Sequence, residues 1–114
     1  MEVPNVTKYL VLYRSSASPT AQMANASPEE AQAGMEAWMQ WAGKADKAIV
    51  DLGSPLSSVG TVGQADAGQY IGGFSVLEAD SKEALVNLLD GHPHFHSPGE
   101  NSIQMLEFLP IPGT

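Results

Sequence analysis

The sequence predicts an α+β fold of the ferredoxin-like kind, with an antiparallel four-stranded sheet that carries two helices on one face. Strand and helix signals follow one another in the order β-α-β-β-α-β, which is typical of that arrangement. Both helix signals begin with a capping pattern and continue at helical spacing. The 114 residues suffice for a single domain, 1–114, with a modest core.

The first half of the chain predicts a strand, a linker and a long helix. Residues 9–13 are aromatic and aliphatic, as in a buried strand, and residues 15–26 lack periodicity, as in a linker. Ser27, Pro28 and Glu30 form the pattern of a capping box, which predicts a helix from there to about Lys47. Its expected buried face consists of Ala31, Met35, Trp38, Met39, Ala42 and Ala45.

The second half predicts two further strands before the second helix. Residues 48–52 are apolar apart from Asp51, and residues 57–68 are glycine-rich, which predicts a long loop or hairpin extension. Residues 70–79 predict the third strand. The adjacent Gly72 and Gly73 indicate a bulge or a close backbone approach in it.

The last third predicts a helix, a histidine-rich loop and a final strand. Asp80 is the expected N-cap, with Glu83 three residues later, and Gly91 is the expected stop. The predicted buried face of this helix is Ala84, Leu85, Leu88 and Leu89. Residues 102–109 alternate well enough for a fourth strand, and prolines follow.

In such a sheet the helices leave the second face uncovered. Because the predicted strands carry few charges, this face would expose apolar surface to solvent. A second copy of the chain, or a bound ligand, would bury that face. The sequence therefore predicts a symmetric homodimer.

Composition excludes several classes of function. Thirteen acidic and five basic residues give a formal charge of −8, which opposes binding to nucleic acid and to anionic membranes. The absence of cysteine excludes disulfides, thiolate catalysis and cysteine-based zinc sites. Neither a signal-like N-terminus nor a span-length apolar run is present, so a cytoplasmic protein is expected.

Six segments, taken in order, resemble the YCII-related family in its DGPF-type branch. They are residues 8–14 (KYLVLYR), 27–30 (SPEE), 35–38 (MEAW), 51–56 (DLGSPL), 74–81 (FSVLEADS) and 91–94 (GHPH). The resemblance extends over nearly the whole chain. It implies a dimeric α+β barrel with a cleft between sheet and helices, and it implies little about the reaction.

One departure from the family limits what can be transferred. A few relatives are thought to use a histidine–aspartate pair in acid–base or dehalogenating chemistry, with the histidine early in the chain. This sequence has no histidine before His92, and the family's Asp-Pro after the second helix corresponds to His92-Pro93. The dyad of those relatives is therefore not carried over.

All three histidines lie at alternate positions, 92, 94 and 96, directly after the second helix. In an extended segment they would point the same way at spacings of about 7 Å, and Pro93 favours extension of His92. Two of them could then bind a metal with Asp51 or Glu100, or one could serve as a general base. The alternative is that His92 caps the helix C-terminus while the others lie on the loop surface.

Four further residues are candidates for a site. Asp51 interrupts an apolar strand, where burial would raise its pKa or require a partner; alternatively, it faces solvent at a strand edge. Arg14, the sole arginine, follows Tyr13 at the end of the first strand and suits an anionic group, unless it forms an ordinary ion pair. Trp38 and Trp41 bracket the buried helix face, so one of them could line a cleft.

The leading hypothesis is a small enzyme of undefined reaction. His92 or His94 would be the acid–base group and Asp51 its assistant, while Tyr13, Arg14 and Trp38 would bind a polar or anionic substrate. The first alternative is a non-catalytic ligand-binding or regulatory module. The second is metal binding through His92, His94 and His96. No cofactor is expected, and a small-molecule ligand is the anticipated partner besides the second copy.

Overall fold

The computed structural model describes residues 6–64, 68–96 and 99–110. Its elements are β1 (Thr7–Ser15), α1 (Pro19–Asn25), α2 (Pro28–Ala45), β2 (Ile49–Pro55), β3 (Tyr70–Ala79), α3 (Lys82–Leu89) and β4 (Asn101–Glu107). Short 3₁₀ turns follow α2 at Asp46–Ala48 and precede β4 at Pro93–His96. The predicted α+β class and its four-stranded antiparallel sheet are confirmed.

The sheet has the strand order β2-β3-β1-β4, so the first and third strands form its centre. The odd-numbered residues of β1 from Tyr9 to Ser15 are buried, and Val11 pairs with Ser75 of β3 and Met105 of β4. The core lies on this face, where α2 and α3 pack against the sheet. Its buried members are Tyr9, Val11, Tyr13, Trp41, Ala45, Leu77, Leu85 and Leu89.

The opposite face of the sheet, here called the open face, is mostly apolar. Its apolar members, identified by their cross-strand pairing, are Leu10, Leu12, Ile71, Phe74, Val76 and Leu106. Lys8 and Glu78 oppose each other at one end of this face, and Arg14 lies near the other. Among the described residues, no helix covers it.

The first half of the structure corrects two sequence predictions. Residues 19–25 were expected to lie in a linker but form α1, whose N-cap Ser18 accepts a hydrogen bond from the Ala21 amide. Met35 and Met39 were expected in the core, yet they are 63% and 56% exposed. Only the second half of α2 reaches the sheet, through Trp41 and Ala45. The capping hydroxyl of Ser27 is confirmed, since it accepts from the Glu30 amide.

Helix ends and strand bounds also differ from expectation. The second predicted helix was assigned Asp80 as its N-cap, but Ser81 fills that role because its hydroxyl accepts from the Ala84 amide. The first predicted helix ends at Ala45 rather than about Lys47, and a 3₁₀ turn follows. β2 continues to Pro55, beyond the predicted residue 52. Residues 65–67 of the predicted loop lie outside the described residues.

Two glycines serve a specific backbone purpose beside β3. The predicted bulge is confirmed: Tyr13 pairs with Gly73 whereas Arg14 pairs with Ile71, so Gly72 is the extra residue. Gly53 in β2 has a φ of +89°, and a Cβ there would overlap the Phe74 carbonyl of the neighbouring strand. Both the conformation and the contact therefore require glycine at position 53.

We expect Gly53→Ala to lower the free energy of unfolding by more than about 1 kcal/mol, because the native φ and the approach to Phe74 both oppose a side chain. Gly43→Ala in α2 is the matched control, since a Cβ there meets nothing within 4 Å. Alanine in a helix interior should stabilise the control by up to about 1 kcal/mol. Equal effects of the two substitutions in urea denaturation would contradict this assignment.

Candidate functional site

His92 is turned into the core by the end of α3. The helix ends at Leu89, Gly91 adopts a φ of +71°, and the His92 amide donates to the Leu89 carbonyl at 3.1 Å. The His92 side chain is 0% exposed. A reversal at a glycine with positive φ is a common way to end a helix, and here it directs the next side chain inward.

Three aromatic side chains surround the His92 ring. Tyr13 of β1 stacks on it at a centroid distance of 5.0 Å and an interplanar angle of 28°. Trp38 meets it edge to face at 4.6 Å, and Trp41 lies tilted at 4.4 Å. Such pairs stabilise by about 0.5–1.5 kcal/mol each beyond the burial of their area. We call Tyr13, Trp38, Trp41 and His92 the aromatic cluster.

The hydrogen bond of His92 fixes its protonation. Its Nδ1 accepts from the His94 amide at 3.0 Å, so Nδ1 is unprotonated and the neutral ring carries its hydrogen on Nε2. Nε2 is buried and has no hydrogen-bond partner in the described part of the chain. Burial, and then the nearby charge of His94, lowers the pKa of His92 to about 4. His92 is therefore neutral near pH 7, and its lone pair is already engaged.

The same hydrogen bond explains why the loop departs from prediction. Residues 92–96 were expected to be extended, but residues 93–96 form a 3₁₀ turn. The His92 imidazole accepts from the amide two residues later, as a capping side chain does, and the Phe95 amide donates to the His92 carbonyl at 3.1 Å. The three histidines consequently do not form a row on one side of the segment.

His94 ties the central strand to an edge strand. Its Nε2 lies 2.7 Å from the Arg14 carbonyl of β1 and 3.1 Å from the Ser102 carbonyl of β4. Carbonyl oxygens only accept, so this nitrogen carries hydrogen and donates to both of them. The ring is 8% exposed. Both buried histidines thus hold the chain in place through defined hydrogen bonds.

Tyr13 belongs to a buried hydroxyl chain that sequence reasoning missed. Its hydroxyl lies 2.8 Å from Ser75 Oγ, and Ser75 donates to the Leu52 carbonyl at 2.6 Å. Because the serine hydrogen is used there, the tyrosine hydroxyl is the donor to Ser75. Burial raises the pKa of Tyr13 to about 12. Ser75 was recognisable in the sequence only as a polar residue two positions before Leu77, on the buried face of β3.

The remaining predicted site residues lie away from the aromatic cluster. Asp51 is exposed on the edge strand β2, where it pairs with Val76 of the open face and accepts from the Gly53 amide at 2.9 Å. The structure therefore does not bring Asp51 to the histidines. His96 is exposed as well. Within the described residues, no group of three or more histidine or acidic side chains is placed to hold a metal ion.

Arg14 and Tyr13 are separated by the alternation of β1. Tyr13 faces the helices, whereas Arg14 lies on the open face. Arg14 donates from Nη1 to Gln104 Oε1 at 2.9 Å and from Nη2 to the Gln69 carbonyl at 3.4 Å. The two candidates for substrate binding on β1 thus cannot contact one small ligand from the same side of the sheet.

Comparison with known proteins adds no assignment: no family model matches the chain, and no curated protein matches it. Of the helices in the described residues, none is both long and apolar enough to cross a membrane.

The low pKa of His92 predicts a specific loss of stability in acid. The unfolded chain binds a proton near pH 6.5 while the fold resists it until about pH 4, so stability is complete above 6.5 and falls as the pH drops towards 4. The lowered pKa of His92 thus changes the free energy of unfolding by about 3 kcal/mol between pH 6.5 and pH 4. His92→Asn, whose amide oxygen can replace Nδ1, should flatten this slope in urea denaturation between pH 7.5 and 4.5. A slope that persists in His92→Asn but disappears in His96→Asn would contradict the assignment.

We expect His94→Phe to lower the free energy of unfolding by about 1–3 kcal/mol, because two carbonyls would lose their shared donor. His94→Gln, which can place an amide hydrogen near the position of Nε2, should retain part of that stability. Equilibrium urea denaturation at pH 7.5 measures both. Equal stability of His94→Phe and the wild type would show that this bond is unimportant to the fold.

Proposed function

We propose that this protein is a homodimeric domain similar to the YCII-related family. The domain binds a small molecule and does not use its histidines as acid–base groups. The observation that carries the proposal is the hydrogen bond from the His94 amide to His92 Nδ1. It engages the lone pair of a fully buried ring, so this ring has no free acceptor for a substrate proton. The enzyme hypothesis consequently loses its first candidate base.

The other proposed catalytic groups support the same reading. His94 uses Nε2 to bind two backbone carbonyls, and Asp51 lies on the open face of the sheet. A histidine that acts in general base catalysis is usually oriented by a third group, and no carboxylate approaches either buried histidine in the described residues. Metal binding is disfavoured too, because His92 and His94 direct nitrogens at the backbone while His96 is exposed.

Dimerisation is supported by the apolar open face, which no helix of the described residues covers. The strand order, with α2 and α3 on one face, further supports a ferredoxin-like barrel built from two copies. The assignment to the cytoplasm rests on the sequence and stays a prediction.

Binding without turnover is tested by ligand-observed NMR on the wild-type protein with a mixture of small organic acids, amides and polyols. We expect saturation transfer to some compounds, with no new resonances after a day. If a product forms, and its formation stops in His94→Gln while the fold and the binding remain, the protein is an enzyme and the proposal is wrong.

We expect Leu106→Asp to weaken the dimer at least tenfold, because it would place a charge in an apolar interface. Leu106 is 38% exposed on the edge strand β4, so the isolated chain should tolerate the change. Met39→Asp on the exposed side of α2 is the matched control and should leave the dimer intact. Sedimentation equilibrium over a range of concentrations measures both. A monomeric wild type at micromolar concentration would overturn the dimer.

A further inference from the structure

Arg14 carries a positive charge that no carboxylate neutralises in the described part of the chain. It is the only arginine in a chain with thirteen acidic residues, yet the described residues supply it with no ion pair. Within the described residues, its guanidinium donates to the neutral oxygens of Gln104 and Gln69, and its buried Nε has no acceptor there. A partly desolvated positive charge that lacks a counter-ion is costly and attracts an anion strongly.

The guanidinium is held in place before any ligand arrives. The guanidinium contacts the backbone carbonyl of Gln69, and the side chain of Gln69 is itself fixed. Its Nε2 donates to the Glu100 carbonyl at 2.8 Å, and its Oε1 accepts from the Ser102 hydroxyl at 2.7 Å. Gln104 engages the other side of the fork at 2.9 Å. A preorganised arginine loses less conformational entropy on binding a planar carboxylate than a free one does.

An open groove of about 660 Å³ is lined in part by two neighbours of Arg14, Gln69 and Ile71. Two of its lining residues touch or oppose the arginine: Gln69 accepts its hydrogen bond, and Ile71 is its cross-strand partner. Leu56 and Tyr70 add apolar and aromatic surface, and the remaining lining is made of small or hydroxyl-bearing residues. None of the described residues that line the groove is a lysine, an arginine or an acidic residue.

We infer that Arg14 binds the carboxylate of a small organic monocarboxylate whose apolar body lies in this groove. A single arginine in a chain of net charge −8 suits one negative charge, and the field of the protein disfavours a dianion. Arg14 is the penultimate residue of β1, so it lies at the rim of the open face, beside the groove. This inference rests on the proposed ligand-binding function and names its ligand class.

Hexanoate is the probe, with hexanamide as its uncharged analogue and acetate as the analogue without an apolar body. Titration calorimetry at constant ionic strength should show saturable binding of hexanoate that is at least tenfold tighter than that of either analogue. Arg14→Gln should lose at least tenfold in affinity. Lys8→Gln is the matched control, because it removes the same charge from an exposed position on the same face of β1 and should change the affinity less than threefold.

A second measurement needs no variant and therefore does not depend on the folding of Arg14→Gln. The sole arginine gives a single guanidinium Nε–Hε resonance in a ¹⁵N-labelled sample. Hexanoate should shift that resonance along a saturable curve, and hexanamide should leave it unchanged. Absence of hexanoate binding, or binding that leaves this resonance unmoved, would overturn the inference. If a monomeric wild type binds hexanoate, the proposed dimer is wrong but the inference about Arg14 stands. If the protein converts hexanoate to a product, the proposal of binding without turnover is wrong and the inference again stands.

Discussion

A neutral imidazole buried among three aromatic rings holds together the three parts of this fold. His92 follows α3, Tyr13 lies on the central strand β1, and Trp38 and Trp41 lie on α2. Because these side chains surround the His92 ring on several sides, β1, α2 and the turn after α3 pack together around it. The Trp41 indole strengthens it by donating to the Leu88 carbonyl at 3.1 Å. The turn cannot move without exposing a tryptophan.

The two faces of the sheet divide the chemistry of the molecule. On the helix-covered face, hydrogen bonds join His92, His94, Tyr13 and Ser75 to the backbone or to one another, and burial lowers the pKa of His92 and raises that of Tyr13. His92 and Tyr13 therefore keep their neutral forms near pH 7. The open face is apolar, and near its end lies the Arg14 guanidinium, which forms no ion pair within the described residues. Ligand binding and dimerisation are therefore proposed on the face of the sheet that contributes least to the core.

The sequence predicted the fold well where local signals agree with tertiary packing. The Ser27 cap and the bulge at Gly72 follow from short-range chemistry, and both are present, whereas the first strand was expected to be buried as a whole and is buried on one face. The α1 helix was missed although Ser18 and Pro19 repeat the pattern of Ser27 and Pro28, because no apolar periodicity follows them. The exposure of Met35 was unpredictable, since periodicity defines a face without stating how much of the helix meets the sheet.

The candidate site shows a different limit. Histidines at alternate positions predict a row only if the backbone is extended, and here the first imidazole itself bends the backbone by accepting an amide hydrogen. Sequence alone also could not reveal which residues of different strands lie side by side. Tyr13 and Arg14 are adjacent in sequence and point to opposite faces, whereas Arg14 and Gln104 are 90 residues apart and share a hydrogen bond.

The extra residue at Gly72 sets the parity of the start of β3. If Gly72 instead paired regularly with Arg14, Ile71 would oppose Ser15 and turn towards the helices, and Tyr70 would lie on the open face. The bulge therefore shifts the alternation of the strand by one residue. The part of β3 after the bulge keeps its inward and outward pattern, and the two residues before it, Tyr70 and Ile71, exchange sides. Relocating one glycine could therefore rewrite the surface beside Arg14 and leave the hydrophobic core untouched.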